Sequence, residues 1–291
     1  MKGEGFQLDH VAIGVPSIAA GAGFLRDELG GEPFDGGPGM GFRWEQFLFA
    51  GGGVIELLEP AGEPGGFLHR FLERRGAGVH HVTFEVPGLD GVCSRAEDLG
   101  FPVVERDDSD PEWKEAFLHP RGAQSIVVQL VERAGRATVV PESRVDDPRD
   151  GDPEPGSVGI ELIGLRLAVR DLDRARRLWC GLLGGVGRAI GGDLEVRWPG
   201  SVMRLLVRRV EGAVEEGPLA IEIACLRPAV VPRGRHPILG TVFEPVDITE
   251  LPPPPAEDEA VVAIEDSVAD GADAGETYFL DGDALAEEET P

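Results

Sequence analysis

Apolar residues alternate with polar or small ones along Leu8-Asp9-His10-Val11-Ala12-Ile13-Gly14-Val15, the period of a half-buried strand. The pattern returns in Val79-His80-His81-Val82-Thr83-Phe84-Glu85-Val86. Each copy ends in Val-Pro, and aligning those ends superposes His10 on His81. After the first strand, Ser17 is a helix cap, and Gly30-Gly31 closes the helix that runs to about Leu29. Arg43 to Phe49 and Val54 to Glu59 read as strands joined by the turn Ala50-Gly51-Gly52-Gly53. Phe67 to Arg75 predicts a short linking helix. The second copy adds a strand over 79–86, a helix near 88–98, and strands near 101–105, 114–119 and 125–132. The first half therefore reads as βαβββ twice.

The pattern lapses over residues 134–158, where Pro141, Pro148, Pro153 and Pro155 stand among charged residues and glycine, so this is a linker. It then resumes. Leu165 to Asp173 resembles the opening strand and helix start, Ser201 to Leu206 resembles Val54 to Leu58, and Pro218 to Ile223 resembles His81 to Val86. These are a third unit and the start of a fourth. The expected fold is α+β: paired βαβββ modules forming a curved mixed-sheet cleft, with a second, degenerate pair of modules. The division is 1–133 for the domain with candidate chemistry, 134–158 for the linker, 159–230 for the degenerate domain and 231–291 for a Pro-rich acidic tail expected to be largely disordered.

Composition narrows the function classes. In 291 residues, 42% hydrophobic content suffices for a packed core. No apolar run approaches a membrane span, and Met1-Lys2-Gly3-Glu4-Gly5 does not open a secretory signal. Cys93, Cys180 and Cys225 show no paired spacing, which points to free thiols and a cytoplasmic location. A net charge of −26 argues against nucleic acid or anionic membrane as partner. Much of that charge is local, since no Lys or Arg follows Arg235 while Asp and Glu recur to the end.

The repeat also carries chemistry. Strand alternation points Val11, Ile13 and Val15 toward the helices, and His10, Ala12 and Gly14 into the cleft. In the second copy His81 and Thr83 take the cleft face, and His80 is expected on the other face. Some 46 to 48 residues after each histidine comes an apolar strand with one polar residue, Glu56 in one copy and Gln129 in the other. A carboxylate between bulky apolar neighbours is costly to bury unless paired or metal-bound. Two imidazoles, a carboxylate and an amide oxygen suit Co, Zn, Ni, Mn or Fe(II) better than Ca or Cu(I). His69, His119 and His236 read as surface or loop residues, and Trp198, Arg204 and Arg208 as solvated strand residues rather than an anion pocket.

Leu8 to Pro16, Val54-Ile55-Glu56-Leu57-Leu58-Glu59-Pro60, Gly78 to Val86, Phe117-Leu118-His119-Pro120 and Ile126 to Leu130 together resemble the vicinal oxygen chelate superfamily, the glyoxalase and bleomycin-resistance fold. Within it they are most similar to the methylmalonyl-CoA epimerases, over the first 132 residues. The resemblance implies His10, Glu56, His81 and Gln129 as metal ligands. It also implies a metal-dependent epimerase or isomerase working through an enolate next to a thioester carbonyl. Glu56 and Glu45, on the neighbouring strand, are then the candidate catalytic bases. The epimerases usually carry Glu where this chain has Gln129, and an amide cannot take up a proton. The other readings are a glyoxalase-type lyase or another enzyme of the superfamily, and a small-molecule-binding, resistance-type protein without catalysis. An acyl-CoA substrate would call for basic residues at the cleft mouth, and Arg70, Arg74, Arg75, Lys114 and Arg121 are available. A homodimer is compatible with the repeat. In the second half Gly164, Arg204 and Pro218 align with His10, Glu56 and His81, so the ligand set is lost there.

Overall fold

The computed structural model describes residues 5–134 and 160–251, except 200, 213, 226–230, 248 and 250. The linker beyond Ala134 and the tail after Leu251 lie outside the described residues.

Eight strands make the first sheet: β1 (Gln7–Gly14), β2 (Glu32–Pro38), β3 (Phe42–Leu48), β4 (Val54–Pro60), β5 (Gly78–Glu85), β6 (Val103–Asp110), β7 (Trp113–Leu118) and β8 (Val127–Arg133). Their order, β2-β3-β4-β1-β5-β8-β7-β6, is symmetric about the antiparallel β1–β5 pair. Each central strand is flanked by a parallel partner from its own module, β4 for β1 and β8 for β5. This is the expected pair of βαβββ modules, and the sheet curls into a half-barrel. Helix α1 (Ile18–Gly23), which continues as a wider π-helical turn over Phe24–Glu28, and α3 (Leu89–Asp98) cover the convex face. Val11, Ile13, Ile55, Leu57, Val82, Phe84, Val128 and Leu130 form the core beneath them. Helix α2 (Phe67–Arg75) instead packs on the concave face, where Leu68 joins Ala12 and Leu58 in a separate small apolar cluster.

The second sheet has β9 (Ile160–Val169), β10 (Val186–Ile190), β11 (Asp193–Arg197), β12 (Arg204–Arg209), β13 (Gly217–Cys225) and β14 (Phe243–Pro245), in the order β10-β11-β12-β9-β13-β14. Helix α4 (Leu172–Arg176), extended by a π-helical turn over Arg177–Leu182, repeats the α1 construction. Ser17, the expected cap of α1, makes no side-chain cap bond, whereas at α4 the Asp171 side chain accepts from the N–H groups of Asp173 and Arg174. The parallel β13–β14 pair repeats β5–β8, so the segment the sequence groups with the tail supplies a last strand of the fourth module. The two sheets share one core: Phe84 packs on Trp198 at 4.9 Å and on Trp179 at 6.1 Å. Polar ties join them as well, from Ser201 Oγ to Leu8 O at 3.3 Å and from Arg174 Nε to Gly122 O at 3.1 Å.

Register refines the alignment of the halves. Gly164 holds the place of His10, but Leu206 stands where Glu56 does and Ala220 where His81 does, not Arg204 and Pro218. Gly164 has φ +148°, and a Cβ there would lie 1.9 Å from Arg204 O. No side chain fits at that point of the second sheet without moving backbone. The buried space around it holds an ion-pair ladder. Arg204 bonds Glu195 and, at 2.8 Å through Nε, Glu222, which also accepts from Arg166 Nε at 2.7 Å. Arg204 is thus buried and doubly paired, and Trp198 is fully buried with Nε1 donating to Leu183 O, so neither is a solvated strand residue. Arg208 alone of the three is exposed, beside Asp193.

Candidate metal centre

Strand pairing brings the repeat histidines to one place. Ala12 faces Glu56 across the β1–β4 ladder and His81 across the β1–β5 ladder, so three neighbouring strands offer His10, Glu56 and His81 to the concave face. One ligand atom from each lies within 4.8 Å of the others. His10 Nε2 is 3.6 Å and His81 Nε2 3.8 Å from Glu56 Oε1. The imidazole centroids are 5.7 Å apart. Gln129 reaches the group through Thr83, whose hydroxyl donates to Gln129 Oε1 at 2.7 Å and lies 2.9 Å from His10 Nε2. His10, Glu56, His81 and Gln129 are each no more than 9% exposed, so their polar atoms must be satisfied from within.

A divalent cation fits this set. His81 Nε2 is buried and has no hydrogen-bond partner, while Glu56 Oε1 is too distant to supply one. Both imidazoles are held from behind: His10 Nδ1 meets Asp9 Oδ2 at 2.7 Å, and His81 Nδ1 meets His80 Nδ1 at 2.9 Å. Outer contacts of this kind orient metal-binding histidines and fix their tautomers. Asp9 is anchored in turn by Arg133, which also bonds Glu85. Electrostatics favour positive charge at the centre. Burial opposes protonation of His10, yet the Glu56 and Asp9 carboxylates outweigh it and push the imidazole up to about 9. Burial would raise Asp9 too, but its contacts with His10 and Arg133 hold it well below the usual carboxylate range. His80 is lowered to about 4 by burial, and His81 is lowered by burial together with the charges of His80 and His10.

Two sequence expectations are corrected here. His80 does not turn to the other face. The register steps from Ala12↔His81 to Ile13↔Val79, a β-bulge that leaves His80 unpaired in the ladder. Its ring lies between Phe67 and Phe71 of α2, on the same side as His81. Glu45 is not at the cluster. It stands opposite Leu57, a core residue, and its charge is felt by Arg26 on the helix side. It lines a surface cavity of about 500 Å³ with Ile18, Phe34 and Trp44. The next residue, Gln46, stands opposite Glu56 and donates to its Oε2 at 2.9 Å. His236 is a loop residue but not a surface one: it is buried against Phe24 and accepts from Ile238 N and Leu239 N. Sequence reasoning missed Gln46 and Glu115, whose Oε2 accepts from Gln129 Nε2 at 2.7 Å. Hairpin register was the only signal for either.

The model of the glyoxalase/bleomycin resistance protein/dioxygenase superfamily matches residues 9–117. An ethylmalonyl-CoA/methylmalonyl-CoA epimerase from Cereibacter sphaeroides is 34% identical over 133 residues, spanning 43% of this chain and 96% of that protein. The chain belongs to the glyoxalase/bleomycin resistance protein/dioxygenase superfamily. The mitochondrial methylmalonyl-CoA epimerase of Mus musculus is 29% identical and covers 43% of this chain and 71% of its own length. Among solved structures, methylmalonyl-CoA epimerase from Mycobacterium tuberculosis aligns at 27% identity with a TM-score of 0.40, over 44% of this chain and 87% of that one. These matches span less than half of this superfamily member. No helix among its described residues is long and apolar enough to cross a membrane.

Proposed function

We propose that the first unit is a divalent-metal enzyme site, bound by His10, Glu56, His81 and Gln129, that epimerises the α-carbon of an acyl-CoA of the methylmalonyl-CoA type. The observation that carries this reading is the convergence of His10, Glu56 and His81 with a bare, buried His81 Nε2. The relationship to epimerases supports the substrate class. A divalent ion at these residues supplies Lewis acidity to a substrate carbonyl. The chain's own groups supply the rest. Asp9 and His80 aim the imidazoles inward. Glu56, its Oε2 hydrogen-bonded by Gln46, could take the proton from the carbon next to the carbonyl, and a proton from solvent returned to the opposite face would complete the epimerisation. Phe42, Trp44, Phe67 and Leu68 form an apolar wall on the concave face, beside the cluster. The second unit has Gly164, Leu206 and Ala220 in the places of His10, Glu56 and His81, with only Glu244 in the place of Gln129, and is a scaffold in this reading.

The test is incubation of cobalt-loaded protein with one epimer of methylmalonyl-CoA in deuterated water. Deuterium should appear at C2, together with the second epimer. Metal-replete protein that leaves both unchanged would remove the epimerase reading and leave the superfamily's lyase chemistry as the next to try.

A further inference from the structure

Each module of the first unit has an amide–carboxylate contact between its inner strand and the next one out, with the residue types exchanged and the pair directly opposed in one module and diagonal in the other. In the first, the inner residue is the carboxylate of Glu56 on β4, and the outer one is the amide of Gln46 on β3. In the second, the inner residue is the amide of Gln129 on β8, and the outer one is the carboxylate of Glu115 on β7. The exchange has different consequences on the two sides. A carboxylate is symmetric, so Glu56 presents an oxygen inward whichever way it turns. A carboxamide is not: one end accepts, and the other only donates. Gln129 can serve as a ligand only when Oε1, and not the NH2 group, faces the histidines.

We propose that Glu115 is the positioning residue that sets this polarity, and so lets an amide stand at a metal-ligand position. Glu115 Oε2 lies 2.7 Å from Gln129 Nε2 and also accepts from the indole N–H of Trp113 at 3.1 Å. Glu115 Oε2 is the acceptor in both contacts, so the end of Gln129 turned toward it is the NH2 group. Oε1 is then forced to the opposite side, toward Thr83 and His10. Glu115 does not itself reach the cluster. It acts through Gln129, from the diagonal position across the β7–β8 ladder, where Gln129 stands opposite Phe117 and Glu115 opposite Val131. The inference rests on the metal-centre reading above.

The experiment titrates cobalt(II) into the full chain after chelator treatment, following heat and the visible cobalt spectrum. Wild-type protein should take up one equivalent. Glu115→Gln, which tolerates either amide orientation, should weaken binding about tenfold, within the usual range for outer-contact losses. Glu115→Lys, a pure donor, should pull Oε1 outward and weaken binding about a hundredfold or more. Adding Gln129→Glu to Glu115→Lys should restore binding to within about tenfold of wild type, because a carboxylate can accept from the lysine and still face inward. That rescue also separates lost polarity from lost folding. Glu115→Lys binding cobalt as tightly as wild type would overturn the proposal, and so would a folded double variant that fails to recover. Wild-type protein that takes up no cobalt would instead remove the metal centre itself, and Glu115's role with it.

Discussion

Thr83 ties together two of the groups that the proposed metal centre would use. Its hydroxyl bridges His10 Nε2 and Gln129 Oε1, the two atoms that the proposed cation would take. It therefore satisfies both while no cation is there and competes with one that arrives. Thr83→Val keeps the shape and leaves both atoms buried and unpaired in the metal-free protein, at about 1–3 kcal/mol. The metal-free variant should melt lower than wild type, its cobalt-loaded form should melt nearly as wild type does, and its cobalt affinity should rise. Melting curves with and without cobalt check this; equal losses in both states would make Thr83 merely structural. At this scale the sequence was informative where the repeat spoke. His10, Glu56 and His81 were marked by duplication, and they converge. Glu45 was not at the cluster because the hairpin register, invisible in the residue pattern, puts Gln46 opposite Glu56.

At the scale of elements, strands with alternating apolar residues were legible and strands without them were not. β2 carries two prolines and two glycines in seven residues and reads as loop. It is a strand because β3 supplies a partner for its backbone, a tertiary effect that periodicity does not carry. The His80 bulge escaped notice because one extra residue in a ladder leaves alternation intact on either side. In the second sheet, β11, β12 and β13 look half-solvated in sequence because they carry Glu195, Arg204 and Glu222, yet all three are buried in the ion-pair ladder. Burial would raise the Glu195 carboxyl, but Arg204 and Arg197 hold it below its ordinary 4.5. A lowered folded-state value means the unfolded chain binds the proton first, so this stabilisation is present above that range and is lost as pH falls through it. Arg204→Met removes one partner from each of two buried carboxylates, Glu195 keeping Arg188 and Arg197 and Glu222 keeping Arg166, and should cost about 1.5–3 kcal/mol at pH 7. The gap from wild type should narrow as pH falls below 4.5 and Glu195 takes up its proton. Urea unfolding at several pH values measures it; a gap independent of pH would mean the ladder is not what Arg204 contributes.

Across the whole molecule, the shared core ties the candidate centre to a unit without the ligand set. Phe84, three strand positions from the ligand-side His81 and so on the opposite face, packs against Trp179 and Trp198 of the second unit. The two units should therefore unfold together. In a Trp44→Phe/Trp113→Phe background, fluorescence comes only from Trp179 and Trp198. Cobalt at about a hundred times its dissociation constant should still stabilise that signal by about 2.7 kcal/mol. A tryptophan transition indifferent to cobalt would show two separately folding bodies. The doubled architecture was readable from the sequence, since four strand copies recur in order. The return of residues 243–245 to the second sheet was not, because Phe243-Glu244-Pro245 is too short to show any period.

Gly164 limits what the second sheet can hold. Its backbone meets Arg204 so closely that a histidine cannot stand there as the strands now lie. A histidine there would first require two strands to part. Among the described residues, main-chain geometry thus bars from the second sheet the side chain on which the proposed centre of the first depends.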